Sequence, residues 1–210
     1  MSVEILLLPA VRTGPDDVRA AGFVAAVDRL PDPPRLTLVD LPLQGLTDRS
    51  GLDRVIAEHL APAIAAGRRP WLAGLSLGGW LALLLADRIP RGVAGVALIA
   101  PWLGTREVHR EILAAGGPAD WAAVQVARGS TALGPAPPGS LDEERAAWRF
   151  LAAAPMPVWL GFGDADRFAD AQRLAATLLP PGQVVVAPGG RHDWPCWVDI
   201  WEHFLRWLPR

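Results

Sequence analysis

The residue with the clearest chemical signature is Ser76, in the run Gly74-Leu75-Ser76-Leu77-Gly78. A serine with a glycine two positions away on either side fits a sharp turn between a strand and a helix, where larger side chains would collide with backbone. Such a turn lifts the hydroxyl above the sheet and points the helix N-terminus at developing negative charge. The pattern therefore predicts Ser76 as a nucleophile, with the backbone amide of Leu77 as an oxyanion donor.

A serine hydroxyl needs a base within hydrogen-bond reach, and the sequence has four histidines. His59 and His203 lie in predicted helices, where a solvated or structural role is the better interpretation. His109 lies in a segment between two strands, where a structural role also leads, although contact with substrate stays open. His192 follows the last predicted strand, and a loop at that point can swing over Ser76. We therefore predict His192 as the base.

The carboxylate that orients the base is expected in the loop after the preceding strand. That loop holds two carboxylates, Asp164 and Asp166. On residue type alone, either aspartate also suits ordinary turn chemistry, so both stay open at this point.

The elements that must position these residues are indicated by short apolar runs that alternate with amphipathic stretches. Strands are predicted at 3–8, 35–40, 70–75, 95–100, within 155–162, and at 183–187. Helices are predicted at 17–30, 52–66, 77–88, 170–179 and 197–208. Apolar strands separated by helices indicate a three-layer α/β/α fold with a mostly parallel six-stranded sheet. We expect one domain over residues 1–210.

The segment 101–150 interrupts this alternation because it is rich in glycine and proline. It contains helical stretches at 106–115 and 141–152, and it is too long for a plain crossover between two strands. We interpret it as a small helical lid insertion over the top of the sheet. Trp102, directly after the fourth strand, is the best candidate for lining a substrate pocket. Trp194, next to His192, is expected to support the base.

The motifs together resemble the α/β-hydrolase superfamily, and the chain looks like a compact, esterase-like member. The run 71–80 resembles the nucleophile elbow of that family, and the strand and helix order is similar over nearly the whole chain. The family's Gly-x-x-Asp pattern aligns with Gly163 and Asp166, which favours Asp166 over Asp164 as the acid. The family's Gly-Gly-His loop resembles the run at His192, with Arg191 inserted. The order serine, aspartate, histidine is also that of the family.

The same resemblance implies a second oxyanion donor in the loop after the first strand. Pro9-Ala10 stands where the family often has His-Gly, so Val11 is the predicted donor and Ala10 the alternative. Arg12 in this loop is a candidate for reaching a polar or anionic part of the substrate; a solvated loop arginine is at least as good an interpretation.

Composition excludes several classes of function. All 20 positive residues are arginine, so mechanisms that need a lysine Schiff base, a phosphate-binding lysine or a Ser-Lys dyad are excluded. Cys196 is the single cysteine, which excludes a disulfide within the chain and thiolate metal clusters. The net charge of −2 gives no electrostatic case for nucleic acid. No apolar run is long enough for a membrane span, and we expect a cytoplasmic protein.

The sequence thus predicts a serine hydrolase that cleaves a carboxylic ester with Ser76, His192 and Asp166, without metal or organic cofactor. A thioesterase or acyltransferase would use the same triad, and the alternative of another class is a non-catalytic binding protein on this fold. We expect a small-molecule acyl ester or thioester as partner.

Overall fold

The computed structural model of the protein describes residues 3–42, 45, 48–127 and 137–209. Its centre is a sheet of six strands, all parallel. The strands are β1 (Glu4–Leu8), β2 (Arg35–Leu38), β3 (Trp71–Leu75), β4 (Gly95–Ile99), β5 (Val158–Gly163) and β6 (Val184–Ala187). They lie in the order β2-β1-β3-β4-β5-β6, which confirms the predicted six-stranded α/β fold.

Helices cover both faces of this sheet. They are α1 (Pro15–Ala21), α2 (Phe23–Asp28), α3 (Ser50–Val55), α4 (Ala61–Ala65), α5 (Leu77–Arg88), α6 (Arg106–Ala114), α7 (Pro118–Ala127), α8 (Leu141–Ala153), α9 (Ala169–Ala176) and α10 (Trp194–Trp207). A π-helical turn, Ile56–Leu60, joins α3 to α4, and a 3₁₀ turn, Pro181–Gln183, precedes β6. No helix in the described part of the chain is long and apolar enough to cross a membrane.

Two apolar cores lie on the two faces of the sheet, because successive side chains of a strand point in opposite directions. Ile5 and Leu7 of β1 belong to the core under α1, α2 and α10. Leu6 and Leu8 of the same strand belong to the core under α3, α5, α8 and α9. Both sets are buried, which explains why the strand is apolar at every position from Ile5 to Leu8.

Helix boundaries differ from the prediction where a local residue overrides the apolar pattern. The helix expected at 17–30 is two helices, because Gly22 adopts a left-handed backbone conformation with φ of 103° between them. The last helix begins at Trp194 instead of residue 197. Its first turn is capped by the Asp193 carboxylate, which accepts from the Cys196 amide at 3.2 Å.

In the described part of the segment between β4 and β5 the chain forms three helices, α6, α7 and α8. The sequence pattern indicated the first and the last of these, whereas α7 was not predicted. Residues 128–136 of this segment lie outside the described residues. The organisation as one domain with a lid insertion stays a prediction.

Candidate active site

The strand β3 passes into helix α5 through a sharp turn at Ser76. Ser76 has φ of 51° and ψ of −113°, a conformation that side-chain-bearing residues rarely adopt. A Cβ on Gly74 would overlap the carbonyl oxygen of Gly78, and a Cβ on Gly78 would overlap that of Pro9. The turn is therefore possible only with glycine at both positions. The Ser76 amide donates to the Ile99 carbonyl of β4 at 3.0 Å, which ties the turn to the sheet.

The loops after β5 and β6 are packed directly against each other. A Cβ on Gly163, at the end of β5, would overlap the carbonyl oxygen of Gly190 in the loop after β6. The Ala165 amide donates to that same carbonyl at 3.0 Å. The Asp164 amide donates to the Ala187 carbonyl at 3.1 Å. These contacts tie the two loops together, and the loops carry an aspartate and a histidine to a common place.

The structure brings Ser76, His192 and Asp166 into one hydrogen-bonded chain. His192 Nε2 lies 2.9 Å from Ser76 Oγ, and His192 Nδ1 lies 2.7 Å from Asp166 Oδ2. A carboxylate accepts hydrogen bonds, so Nδ1 carries the proton of the neutral ring and Nε2 is left to accept from the serine hydroxyl. Asp166 and Ser76 are both buried. This geometry is suited to removing the serine proton.

The two aspartates of the loop after β5 have different hydrogen-bond partners. Asp166 directs Oδ2 to the histidine, while its Oδ1 accepts from the Phe168 amide at 2.8 Å. Asp164 is exposed, and its Oδ1 accepts from the Gly189 amide at 2.6 Å. Asp164 therefore braces the two loops against each other, and Asp166 faces the base.

Two aromatic rings hold the imidazole of His192 between them. The rings of Phe168 and Trp197 each have centroids 5.0 Å from that of His192 and stand nearly perpendicular to it. The sequence interpretation assigned this support to Trp194, but Trp194 packs edge-on against Trp197 and Phe23. Helix α10 begins three residues earlier than expected and turns Trp197 toward the histidine.

One predicted oxyanion donor belongs to the elbow, and the other lies in the loop after β1, which packs against the elbow. Leu77 is the first residue of α5, and the loop after β1 touches the elbow through Pro9 at Gly78. In that loop Thr13 donates both its amide and its hydroxyl to the Ala10 carbonyl, which closes a tight turn. Neither the Ala10 nor the Val11 amide donates to an acceptor among the described residues. Both remain available, and the choice between them stays a prediction.

A cleft of about 840 Å³ lies beside this constellation. Trp102 lines it, and the Trp102 amide donates to the Ser76 carbonyl at 3.1 Å. Phe168, which contacts His192, lines it as well. Arg12 is exposed, with φ of 59°, and is not among the lining residues of the cleft.

The remaining lining residues come from the segment after β4, from the loop after β5 and from α9. They are Leu103, Gly104, Thr105, Arg106, His109, Arg110, Leu113, Arg167, Asp170, Ala171 and Leu174. The arginines of this set were not singled out by the sequence, because only the fold brings α6 next to the loop after β5.

The single cysteine and the three remaining histidines are not part of the hydrogen-bonded chain from Ser76 to Asp166. Burial raises the pKa of the Cys196 thiol to about 11, which disfavours the reactive thiolate at neutral pH. His109 Nε2 donates to the Leu103 carbonyl at 2.9 Å, a structural contact at the cleft wall. His59 and His203 lie in the π-helical turn and in α10. Within the described ranges no group of three or more His, Cys, Asp or Glu side chains is arranged to hold a metal ion.

A second, more apolar cavity of about 470 Å³ lies between the end of α5 and helices α7 and α8. None of the residues of the Ser76 constellation lines it. Asp87 and Arg149 lie at its border, and burial raises the pKa of the former and lowers that of the latter. The 840 Å³ cleft lies nearer to this chemistry, because two of its lining residues contact the constellation: Trp102 contacts Ser76, and Phe168 contacts His192.

No protein-family model and no curated protein sequence matches this chain. Solved structures do match it over almost its full length. An alpha/beta hydrolase enzyme from the metagenome of lagoon sediments at Mar Chica, Morocco, is 18% identical with a TM-score of 0.59, covering 99% of this chain and 89% of that chain. The chain has the α/β-hydrolase fold.

Other α/β-hydrolases are similar to the same degree. A thermophilic esterase from Thermogutta terrifontis is 18% identical with a TM-score of 0.59, over 99% of this chain and 90% of that chain. A monoacylglycerol lipase from Paleococcus ferrophilus is 15% identical with a TM-score of 0.57, over 97% of each chain. The α/β-hydrolase fold predicted from the elbow, the acid loop and the histidine loop is thus confirmed, whereas the role of each site residue stays a prediction.

Proposed function

We propose that this protein is a serine hydrolase that cleaves carboxylic esters through an acyl-enzyme intermediate. The observation that carries the proposal is the continuous hydrogen-bonded chain from Ser76 Oγ through His192 to Asp166 Oδ2, at 2.9 and 2.7 Å. A serine placed in a strained turn and joined to a base and a buried acid has the arrangement that activates a hydroxyl for attack on a carbonyl carbon.

In the first half of the reaction, Ser76 Oγ attacks the ester carbonyl carbon while His192 Nε2 accepts the hydroxyl proton. Asp166 accepts the hydrogen bond from Nδ1 and stabilises the imidazolium that forms. The carbonyl oxygen becomes negatively charged and accepts from the Leu77 amide, at the N-terminus of α5, and from the Val11 or Ala10 amide. His192 then donates its proton to the leaving alcohol, and the acyl group stays on Ser76.

In the second half, a water molecule takes the place of the alcohol. His192 accepts a proton from the water as it attacks the acyl carbon, and then returns that proton to Ser76 Oγ. The acid leaves and the enzyme is restored. The residues of this chain supply the nucleophile, the base and the oxyanion donors, so the scheme needs no cofactor.

The names of the structural neighbours agree with this choice of reaction. They include an esterase, a monoacylglycerol lipase and a carboxylesterase from Bacillus subtilis. The same triad serves thioester cleavage and acyl transfer, so the acceptor and the leaving group must be decided by experiment.

The proposal is tested by hydrolysis of p-nitrophenyl hexanoate compared with the neutral thioester S-hexanoyl-N-acetylcysteamine. We expect the ester to be cleaved, and the Ser76→Ala variant to lose at least about 10³-fold in kcat. The matched control is Ser50→Ala, which removes an exposed hydroxyl that donates to Asp48. It should retain full activity.

Two results would contradict the proposal. Undiminished hydrolysis by Ser76→Ala would remove the nucleophile from the scheme. Folded wild-type protein that cleaves neither substrate would favour a binding protein on this fold. A strong preference for the thioester would keep the triad and reassign the reaction to thioester cleavage.

A further inference from the structure

We propose that the cleft beside Ser76 selects esters that carry a negatively charged oxygen group, a carboxylate or a phosphate, at a distance from the scissile bond. This inference rests on the proposed function for the reaction, and it adds the class of substrate. Its basis is an excess of arginine around the cleft in a protein whose formal net charge is −2.

Three arginines line the cleft from two different parts of the chain. Arg106 and Arg110 lie one turn apart on α6, and Arg167 lies in the loop after β5. Among the described lining residues the single carboxylate is Asp170, which is paired with Arg173 at 3.1 Å. Among the described lining residues, positive charges therefore outnumber negative ones.

These three arginines have no carboxylate partner within the described ranges of the chain. Arg110 Nε donates to the Arg106 carbonyl at 3.3 Å, and the Arg167 guanidinium lies 4.8 Å from the centre of the Phe168 ring. By contrast Arg145, on the neighbouring helix α8, is paired with both Glu111 and Asp142. Guanidinium groups that keep free donors beside a cleft are suited to bind carboxylate or phosphate oxygens.

The position of the arginines fits a substrate that reaches Ser76 with its ester group. Arg167 stacks on Phe168, and Phe168 packs edge-on against His192. One aromatic ring thus separates the guanidinium from the base. Trp102, hydrogen-bonded through its amide to the Ser76 carbonyl, lines the cleft between the elbow and α6. An apolar spacer of a few carbons would lie against these two rings, with the ester at one end and the anion at the other.

The test compares pairs of esters that differ in one charged group. Monomethyl adipate and methyl hexanoate place a carboxylate or a methyl group at the end of a six-carbon acyl chain. The hexanoyl ester of glycerol phosphate and monohexanoin place a phosphate or a hydroxyl on the alcohol side. We expect kcat/KM to be at least about tenfold higher for the anionic member of one pair, with the ratio falling as salt is raised. The pair that shows the effect identifies the group.

The variants assign the effect to the cleft. Exchanging Arg106, Arg110 and Arg167 together for glutamine should reduce the anionic preference to about threefold or less, and each single exchange should reduce it about two- to fivefold. Arg91→Gln is the matched control, since Arg91 is exposed in the turn between α5 and β4, at the opposite end of the sheet. It should leave the preference unchanged.

A binding measurement separates this inference from the proposed reaction. Calorimetric titration of the Ser76→Ala variant should show monomethyl adipate or the phosphate ester binding at least about tenfold more tightly than its neutral counterpart, and the added triple exchange should abolish the difference. If the wild type cleaves neutral esters but shows no anionic preference in either pair, the inference is overturned and the proposed function stands. If no ester is cleaved, the proposed function fails, and the titration still decides the charge preference.

Discussion

The two regions that surround the cleft are held in place by different means. The triad side is built on the sheet: the elbow and the loops after β5 and β6 meet through glycines whose backbones touch, as Gly74 with Gly78 and Gly163 with Gly190. The opposite wall, formed by the segment after β4, is held by side chains from distant positions. Glu144 of α8 accepts from both the amide and the hydroxyl of Thr105.

The same wall is tied at Leu103, whose carbonyl accepts from the Trp148 indole at 2.9 Å and from His109 at 2.9 Å. Backbone contacts between glycines leave little freedom, whereas side-chain contacts can be exchanged by mutation without changing the sheet. We expect the sheet side to determine whether the reaction occurs, and the helices after β4, together with Arg167 of the loop after β5, to determine what is bound. Variants on the two sides of the cleft can test this difference.

The largest effect is expected from the acid of the triad. Asp166→Asn should lower kcat about 10³- to 10⁴-fold with little change in KM, because an amide no longer holds His192 in the required tautomer. Asp164→Asn is the matched control two residues away, and it should change kcat less than about fivefold. Steady-state kinetics on p-nitrophenyl hexanoate would measure both. Equal losses of kcat in the two variants would show that activity depends on the structure of the loop and not on the Asp166 carboxylate.

The second effect concerns the glycines of the elbow. Gly74→Ala should lower the free energy of unfolding by about 3 kcal/mol or more, because its Cβ would meet the Gly78 backbone, which cannot shift. Gly182→Ala, where no atom lies within 4 Å of the added carbon, should be nearly neutral. Urea denaturation followed by tryptophan fluorescence would compare them. A Gly74→Ala protein as stable as the control would mean that the turn is looser than described.

A smaller effect is expected on the opposite wall. Glu144→Ala removes the acceptor of two hydrogen bonds to Thr105, and should lower the free energy of unfolding by about 2 kcal/mol. If the inserted helices govern binding, this variant should raise KM several-fold and change kcat less than about twofold. The same kinetic assay distinguishes the two parameters. A fall in kcat with unchanged KM would contradict the division between the two regions.

The smallest effect is expected on the pH dependence of the free energy of unfolding, through Cys196 near the histidine loop. Burial raises the pKa of Cys196 to about 11 from 9.0, so the folded state keeps a proton that the unfolded chain loses between these pH values. Stability contributed by the neutral thiol is complete below about pH 9 and is lost as pH rises toward 11. The stability of wild type relative to Cys196→Ala should therefore fall by about 1 to 2 kcal/mol over this range. Denaturation curves for both proteins at pH 8 and pH 11 would measure it.

The sequence was most informative where local backbone rules determine the structure. Helix α5 begins and ends at the residues expected, because Ser76 with its flanking glycines sets the start and Arg88 ends the apolar run. The alternation of apolar strands with helices was enough to predict the parallel sheet. The residues of the proposed triad could be singled out because each follows a strand, and the carboxyl ends of parallel strands meet at one edge.

The sequence was least informative where the structure depends on contacts between distant segments. Helix α7 and the wall formed by α6 carry no motif, and their positions follow from long-range pairs such as Glu144 with Thr105. The arginines of the cleft come together only because α6 folds beside Arg167. The contact of Trp197 with His192 depends on where α10 begins, which the Asp193 cap determines.

The most direct test of the central claim, that Ser76 is a nucleophile activated by His192, is covalent labelling with a fluorophosphonate followed by intact mass and peptide mapping. We expect one label per chain in the folded wild type, located on Ser76, and at least about 100-fold slower labelling of His192→Ala. Labelling at another residue, or none at all in folded protein, would show that Ser76 is not the activated nucleophile.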